Sequence, residues 1–474
     1  MLACSSRSSE ATTSMGRRSE VTFLLLQLLA VASCCAMAVT GYREREIGGE
    51  EEVRGTTASP FKLEKSEQVV KTEGGEVRVV RGFGSSSKWG GGGPVSPMHI
   101  GFIFMEPKTL FIPQYLDSSL ILFVHRGDVR VAWIYKDGLA ERQLKMGDII
   151  HIPAGSTFYM VNAGEGQRLQ IICSIDTSDS MDFSPYQSFF IGGGMYPTSV
   201  VAGFDMGTLS TAFNVTEEEV QAILGSQTGG PIVLLTGEAA ERIDRRRRKG
   251  LLEFHDEEEE DKWWTWRKLL TGILGGGFGD RNRGKKRPVR SPDPYNVYDR
   301  DPDFRNDYGW SLAVDEHDYH PLKHSDIGVY VVNLTAGSMM APHVNPRATE
   351  YGVVLGGSGE VHVVSPNGTG AMKAEVAEGD VFWIPRYFPF CQVASRSGPL
   401  EFFGFTTSAR RNRPQFLVGA SSILTAMMGP ELAAGFGVSE EQLRDVVDAQ
   451  REATILPSRP WPPVRREGKT PVNR

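Results

Sequence analysis

The chain contains an internal repeat, and this feature constrains its fold more than any other. The block GDIIHIPAGSTFYMVN (residues 147–162) and the block GDVFWIPRYFPFCQVA (residues 379–394) share glycine, aspartate and proline at matching positions. Before them, FIPQYLDSSLILFVHRG matches MAPHVNPRATEYGVVLGG, and after them VTEEEVQAIL matches VSEEQLRDVV. Three matched blocks in the same order predict a duplicated domain. At 474 residues, the chain is also long enough for two hydrophobic cores.

Each repeat is predicted to contain many short β-strands followed by a helix. Segments such as VRVAWIY, VHVVS and LEFFGFTT are rich in β-branched and aromatic residues and are separated by Gly, Pro and Asn, which indicates a sandwich or barrel. Thr216 with Glu219, and Ser439 with Gln442, have the spacing of helix-capping boxes. The helices that follow carry apolar residues at helical spacing, namely Val220, Ile223, Leu224, Leu443, Val446 and Val447. The predicted fold class is therefore an all-β core with helical extensions.

The first 38 residues (1–38) have the pattern of a secretory signal peptide. Arg17 and Arg18 precede the apolar run VTFLLLQLLAVASCCAMA, which ends in the small-residue pattern Ala36-Met37-Ala38. This run is too short, and too soon followed by polar residues, to be a membrane span. Because no later apolar stretch is long enough either, we expect a soluble mature protein with no membrane contact after signal cleavage.

The two repeats are separated by a segment of different composition. ERIDRRRRKG, HDEEEED and GILGGGFGDRNRGKKRPVRSP combine charge blocks with Gly-rich stretches, which bury too little apolar surface to offset the entropy of ordering. We expect residues 237–291 to be a charged flexible linker between domains at 60–236 and 292–458, with a disordered tail at 459–474. A net charge of −7 gives no reason to expect a nucleic-acid partner.

The second repeat contains glycines spaced around residues that can bind metals. The pattern is G-x5-H-x-N-x4-E-x6-G, followed by a further glycine and proline; its members are Gly337, His343, Asn345, Glu350, Gly357, Gly379 and Pro385. It resembles the two signature motifs of the cupin superfamily, which read G-x5-H-x-H-x3,4-E-x6-G and G-x5-P-x-G-x2-H-x3-N in metal-binding members. The resemblance implies a bicupin with two cupin barrels, each a double-stranded β-helix or jelly-roll.

Both repeats depart from the metal-binding pattern. His343 and Glu350 match it, whereas Asn345 replaces the second histidine and Phe390 replaces the histidine of the second motif. In the first repeat, the same four positions are occupied by Gln114, Leu116, Leu120 and Phe158. A divalent ion needs imidazole or carboxylate donors, which an aromatic ring cannot supply. We therefore expect no metal, no cofactor and no catalytic residue, and we interpret His343 and Glu350 as a hydrogen-bonded pair near a barrel mouth.

Most of the mature chain resembles the 7S globulins, the vicilins of plant seeds. Two cupin barrels with helical extensions, a signal peptide, a charged linker and an acidic balance are together similar to that family. The blocks PYNVYDRDPDF, NLTAGSMMAPHVNPRATEYGVVL and GFTTSARRNRPQFLVGASS resemble its vicilin-like seed storage branch in particular. Over about residues 60–458, the resemblance implies a non-catalytic nutrient reservoir, a homotrimer, and deposition in the protein storage vacuole. The extracellular space is the alternative location.

Two other functions are consistent with the sequence. An apolar barrel interior would suit a protein that binds a small ligand or a carbohydrate. A metal-dependent oxidase of the germin type would have to use the second barrel, and the missing histidines argue against this function.

Three asparagines, Asn214, Asn333 and Asn367, lie in glycosylation sequons. Asn367 is the best candidate because it falls in a Pro-Asn-Gly turn, whereas Asn333 follows a predicted strand and Asn214 overlaps a helix cap. Cys173 and Cys391 remain after removal of the leader. They form either one disulfide or two buried thiols.

Overall fold

The structure is a computed structural model that describes residues 60–63, 66–82, 98–136, 138–162, 164, 166–181, 185–238, 240–243 and 291–457. The predicted signal peptide at 1–38, most of the predicted linker and the predicted tail at 459–474 lie outside these residues. In the described part of the chain, no helix is both long enough and apolar enough to cross a membrane.

The first repeat folds into two antiparallel sheets around an apolar core. Its strands are β1 (Lys62–Leu63), β2 (Ser66–Thr72), β3 (Gly75–Val80), β4 (Met98–Met105), β5 (Thr109–Leu116), β6 (Ser119–Arg126), β7 (Val129–Tyr135), β8 (Gly138–Leu144), β9 (Asp148–Ile152), β10 (Phe158–Asn162), β11 (Leu169–Asp176), β12 (Ser188–Phe190) and β13 (Ile232–Leu234). One sheet has the order β9-β6-β11-β4-β3-β2, and the other has the order β12-β5-β10-β7-β8, with β13 also on β5. Val129, Val131 and Trp133 of β7 lie in the core because alternate side chains of a strand share one face.

The second repeat contains one long strand that takes part in both walls of its barrel. The strands are β14 (Tyr295–Asn296), β15 (Phe304–Asn306), β16 (Gly309–Val314), β17 (Gly328–Leu334), β18 (Met339–Met340), β19 (His343–Val344), β20 (Glu350–Val364), β21 (Gly370–Ala377), β22 (Val381–Ile384), β23 (Pro389–Ala394), β24 (Leu400–Thr406), β25 (Gln415–Phe416) and β26 (Ile455–Leu456). The first part of β20 pairs with β22 and β24, and its last part pairs with β21 and β23. Gly357 has a φ of +81°, and a side chain there would lie 1.8 Å from the Pro399 carbonyl oxygen. Glycine is therefore required where β20 crosses between the walls.

Helices follow the strands in both repeats, as the sequence predicts. They are α1 (Met206–Phe213), α2 (Glu217–Gly225), α3 (Ile423–Ala426), α4 (Pro430–Phe436) and α5 (Glu440–Val447), with 3₁₀ turns at Val200–Gly203 and His320–His324. The capping box of α2 is present, since Thr216 and Glu219 each accept from the other's backbone N–H. At α5, the Ser439 hydroxyl accepts from Gln442 N. Residues 237, 238 and 240–243 are also helical, so helical structure extends into the first residues of the predicted linker.

The first strand of each repeat pairs with a strand of the other repeat. β1 pairs with β22, with Lys62 opposite Phe382, and β14 pairs with β9, with Tyr295 opposite Ile149. The predicted ranges 60–236 and 292–458 therefore follow the sequence repeats, but each barrel includes a short strand from the other range.

The two repeats share a hydrophobic core. Phe123 of β6 and Phe403 of β24 stack at 3.9 Å between ring centroids, with an interplanar angle of 7°. Ile121 from the first repeat and Tyr351 from the second belong to the same buried cluster. Stacked aromatic rings and exchanged strands join the barrels into one compact unit that includes all the residues that the structure describes.

Candidate functional site

The interior of the second barrel contains a cavity of about 590 Å³. His343 enters it from β19 and Glu350 from the start of β20, while Tyr330 and Phe402 line it from β17 and β24. These positions meet because each strand of a closed barrel turns every second side chain inward. His343 and Glu350 therefore line the same cavity.

His343 is a buried, neutral imidazole packed between two aromatic rings. Its Nδ1 lies 2.7 Å from the carbonyl oxygen of Ala341, and a carbonyl only accepts, so Nδ1 carries the proton and Nε2 keeps a lone pair. The ring centroids of Phe390 and Phe416 lie 4.0 and 5.3 Å away. Burial lowers the pKa of His343 to about 4, although the hydrogen bond to Ala341 partly opposes this shift.

Asn345 and Glu350 form a fixed hydrogen-bonded pair. The Asn345 oxygen accepts from the backbone N–H groups of Arg347 and Ala348, each at 3.0 Å, so its nitrogen must face Glu350. That nitrogen donates to Oε1 of Glu350 at 2.7 Å. Burial raises the pKa of Glu350 to about 7, and the hydrogen bond from Asn345 partly opposes the shift.

The interpretation of His343 and Glu350 as a hydrogen-bonded pair is wrong. Each forms its side-chain hydrogen bond with a different partner, which is the Ala341 carbonyl for His343 and the Asn345 amide for Glu350. Both side chains are buried. Asn345, which replaces a metal ligand of the family motif, instead supplies the N–H that the buried carboxyl needs.

The position of the last motif histidine is filled by an apolar ring. Phe390 is buried and lies directly opposite His343 in the register between β19 and β23. Among the residues that the structure describes, no three His, Cys, Asp or Glu side chains are grouped so that they could hold a metal ion. The absence of a bound metal stays a prediction.

The turn of the second motif keeps its backbone conformation without its glycine. Gly155 of the first repeat has a φ of +74°, and Tyr387 at the matching position has the same φ of +74°. Tyr387 N donates to the Asn345 carbonyl oxygen at 2.9 Å, and the Arg386 guanidinium lies 5.3 Å from the Tyr387 ring. These contacts hold a bulky residue in a conformation that favours glycine, a feature that the sequence analysis missed.

The first barrel has an apolar interior in which the Gln114 amide is buried. Gln114 lies opposite Phe158 in the register between β5 and β10, and the Phe111 and Phe158 rings meet edge to face at 6.5 Å. Leu116 and Leu120 are buried in the same core. Among the described residues, neither polar atom of the buried Gln114 amide has a hydrogen-bond partner. The sequence showed that Gln114 replaces a metal ligand of the family motif. It contained no pattern that would predict the missing hydrogen bonds of the amide.

The three sequons differ in their surroundings. Asn367 is exposed in the turn between β20 and β21, and its side-chain oxygen accepts from Thr369. Asn333 lies inside β17, and Asn214 ends α1 in a left-handed conformation with φ of +56°. Their use as glycosylation sites stays a prediction.

The two cysteines in the described part of the chain are separate thiols. Cys173 and Cys391 are both buried and free, so the disulfide alternative is excluded. Burial raises the pKa of Cys173 to about 12 and that of Cys391 to about 11, which keeps both in the unreactive thiol form.

Solved vicilin structures have the same fold as this chain. The vicilin of Capsicum annuum superposes with a TM-score of 0.70 at 21% identity, over 85% of this chain and 100% of that one. The vicilin of Solanum melongena, described with different anionic ligands in structurally similar pockets, gives a TM-score of 0.69 at 20% identity, over 85% and 98%. These similarities confirm the predicted bicupin fold.

Sequence similarity identifies the family. The cupin family profile matches residues 295–444. A vicilin-like seed storage protein of Arabidopsis thaliana is 52% identical over 423 residues, which cover 84% of this chain and 80% of that protein. Similarity at this level across most of both sequences, on a fold of two barrels with helical extensions, means that the chain belongs to the vicilin-like seed storage proteins.

Proposed function

We propose that this protein is a nutrient reservoir that accumulates in maturing seeds, performs no catalysis and is hydrolysed at germination. The observation that carries this proposal is the 52% identity to a vicilin-like seed storage protein over most of both chains. Storage depends on stable accumulation and later proteolysis rather than on a reactive site. The function therefore requires a compact fold and no particular side-chain chemistry.

The interior of the second barrel supports a role without metal catalysis. A germin-type oxidase needs a bound metal, yet Asn345 is already held by Glu350 and by two backbone N–H groups. Phe390 fills the remaining ligand position. His343 and Glu350 then offer one free nitrogen and one free oxygen, whereas metal sites with an open position use about three protein ligands. These residues do not fit a tightly held metal ion.

We place the mature protein in the protein storage vacuole, with the extracellular space as the alternative. The signal-peptide pattern at 1–38 supports entry into the secretory pathway. Asn367 is the proposed glycan site, because its exposed turn leaves room for a bulky sugar chain. Neither a nucleic-acid partner nor a membrane contact forms part of the proposal.

The proposed assembly is a homotrimer closed by the helical extensions. The two extensions expose large apolar side chains at three pairs of equivalent positions, which are Phe204 and Met427, Phe213 and Phe436, and Ile223 and Val446. Within each pair, the two residues are the same distance apart in the sequence. Such surfaces allow the first extension of one subunit to contact the second extension of the next, a head-to-tail contact that closes into a ring.

Protein abundance through the seed life cycle tests the storage function. Quantitative mass spectrometry of maturing and germinating seeds should show the protein rising to high abundance and then disappearing. A constant low amount in leaves and roots would contradict storage and favour binding or signalling.

Elemental analysis of the purified protein tests the absence of catalysis by a metal. We expect far less than one transition metal ion per chain after dialysis against a chelator. About one retained ion per chain would contradict the proposal and favour the oxidase.

A further inference from the structure

Two hydrogen-bond acceptors inside the second barrel have no donor. Nδ1 of His343 donates to Ala341, which leaves the lone pair on Nε2, and Oε1 of Glu350 accepts from Asn345, which leaves Oε2. Within the described residues, no group donates to Nε2 of His343 or to Oε2 of Glu350. Both residues line the cavity, so a ligand there would meet two acceptors.

Other polar groups of the cavity can also accept hydrogen bonds from a ligand. The side-chain oxygens of Gln392 and Asn412, which also line it, are buried without a hydrogen-bond partner in the described part of the chain. The hydroxyl groups of Tyr330 and Thr406 each donate to a backbone carbonyl oxygen, at 3.2 and 2.9 Å. Because buried acceptors without donors cost stability, a ligand that donates hydrogen bonds would recover part of that cost.

Among the residues that the structure describes, no cationic side chain compensates the carboxyl group of Glu350. Of the arginines that line the cavity, Arg411 and Arg413 are exposed, and Arg300 forms ion pairs with two aspartates. The pKa of Glu350 responds to burial and to the Asn345 hydrogen bond, with no contribution from a neighbouring cation. A positive charge supplied by a ligand would therefore have a partner inside the barrel.

Apolar side chains cover part of the cavity wall, and titratable side chains cover another part, namely Asp303, Asp315, His317 and Asp318. Val332, Met340, Phe402 and Phe416 line it, and the volume of about 590 Å³ is in the range of small-molecule pockets. A bare inorganic cation would leave this apolar surface uncovered. An organic ligand with an apolar body would cover it.

We propose that the cavity of the second barrel binds a small organic amine, whose protonated ammonium group donates to Nε2 of His343 and Oε2 of Glu350 while its apolar body contacts Phe402 and Phe416. This inference goes beyond storage, and its failure would leave the storage function unaffected. The anionic ligands described for the Solanum melongena vicilin are of the opposite charge. An anion placed between His343 and Glu350 would face the imidazole lone pair and the carboxyl group.

The pH dependence of binding should distinguish an amine from an anion. Burial raises the pKa of Glu350 to about 7, so an ammonium group must displace a proton from it below that pH. His343, with a pKa of about 4, stays neutral, and the pKa of Tyr330 lies well above its usual range, so neither facing group titrates near pH 7. Amine affinity should fall by roughly tenfold for each pH unit below about 7, whereas anion affinity should rise.

Titration calorimetry on the purified full-length protein tests the proposal with phenethylamine as the probe. Hydrocinnamate and phenethyl alcohol serve as anionic and neutral probes of similar size and shape. We expect the amine to bind at least tenfold more tightly than either at about pH 8, and to release protons on binding at about pH 6. Proton release is measured by repeating the titration in buffers of different ionisation enthalpy.

A matched pair of variants identifies the site. Glu350→Gln keeps the side-chain shape and should weaken amine binding at least tenfold and remove its pH dependence. Gln114→Met changes a buried amide of the other barrel and should leave binding unchanged. Binding of hydrocinnamate or phenethyl alcohol as tight as that of the amine would overturn the proposal. So would the absence of amine binding to the wild type, or full affinity in a folded Glu350→Gln protein.

Discussion

At the scale of single residues, Gln114 shows how a residue that replaces a metal ligand of the family motif affects the stability of the fold. Its amide is buried in an apolar barrel, and neither polar atom has a partner among the described residues. An unsatisfied buried polar group costs about 1–3 kcal/mol. Gln114→Met keeps the length and volume of the side chain without this cost. We expect the variant to raise the free energy of unfolding by about 1–2 kcal/mol, measured by chemical denaturation.

Asn162 provides the control for this prediction. Its nitrogen donates to the carbonyl oxygens of Met105, Glu106 and Gln167, and its oxygen accepts from Gly164 N. Asn162→Leu removes all of these bonds and should lower the free energy of unfolding by about 2–4 kcal/mol. If both variants lower it equally, Gln114 has a partner such as a bound water.

Glu350 should make stability depend on pH in a predictable direction. Burial raises its pKa from 4.5 to about 7, so folding favours the protonated carboxyl. Its contribution to stability is complete below about pH 4.5 and is lost as the pH rises through about 7. Glu350→Gln cannot ionise, so its stability relative to the wild type should rise by on the order of 2–3 kcal/mol between about pH 5 and about pH 8.

The comparison with Glu350→Gln removes the effect of other titrating groups. Burial lowers the pKa of His151 and His125 to about 4, and these histidines destabilise the fold when the pH falls. Both histidines are present in the wild type and in Glu350→Gln. The difference between their free energies of unfolding at each pH therefore reports the ionisation of Glu350 alone. A difference between variant and wild type that does not change with pH would show that Glu350 ionises normally.

The spacing of the motif residues predicted which side chains lie in one cavity, but it did not predict their hydrogen-bond partners. The cupin pattern correctly brings His343 and Glu350 into one cavity. The hydrogen-bond partner of the Glu350 carboxyl is Asn345 because the backbone turn orients the Asn345 amide toward it. In that turn, the N–H groups of Arg347 and Ala348 donate to the Asn345 oxygen, which directs the Asn345 nitrogen to Glu350. Sequence motifs record residue types and spacing, whereas this choice depends on backbone geometry.

At the scale of elements, the strand exchange gives the N-terminal segment a structural role in the second barrel. Phe61 is buried there, with ring centroids 5.6 Å from Trp383 and 5.7 Å from Phe388. Phe61→Ala leaves the backbone pairing intact but removes the buried ring. We expect a loss of about 3 kcal/mol in the free energy of unfolding, measured by denaturation followed through tryptophan fluorescence.

Lys62 offers a matched control in the same strand. Its ammonium group lies 2.9 Å from an Asp380 carboxylate oxygen in a partly exposed ion pair. Such pairs contribute about 0–1 kcal/mol, so Lys62→Ala should have a much smaller effect than Phe61→Ala. Equal small effects would show that the second barrel does not depend on the N-terminal segment.

The sequence predicted the regular elements better than the connections between repeats. Periodicity and capping residues located the strands and α2, because these signals act over neighbouring residues. The exchanged strands β1 and β14 each have two residues. Such short segments have no measurable periodicity, and their pairing is set by the packing of the two barrels against each other.

At the scale of the whole molecule, the helical extensions present more apolar surface than a single chain covers. On α2 only Val220 is buried, whereas Ile223 is 71% exposed. On α5 only Leu443 is buried, whereas Val446 is 70% exposed. The sequence correctly identified both apolar stripes, but only the structure shows which residue of each stripe its own chain covers. The exposed residues are those that a neighbouring subunit would bury.

The proposed trimer therefore depends on Ile223 and Val446. The double variant Ile223→Asp and Val446→Asp places two charges in the expected subunit contact, where burial without a partner is unfavourable. Both positions are exposed in the single chain, so the barrels should fold normally. Light scattering at micromolar concentration should give the mass of a trimer for the wild type and of a monomer for the variant. Met146→Asp, at a 59% exposed residue outside the extensions, should stay trimeric. A monomeric wild type, or a double variant that stays trimeric, would show that the extensions do not hold the subunits together.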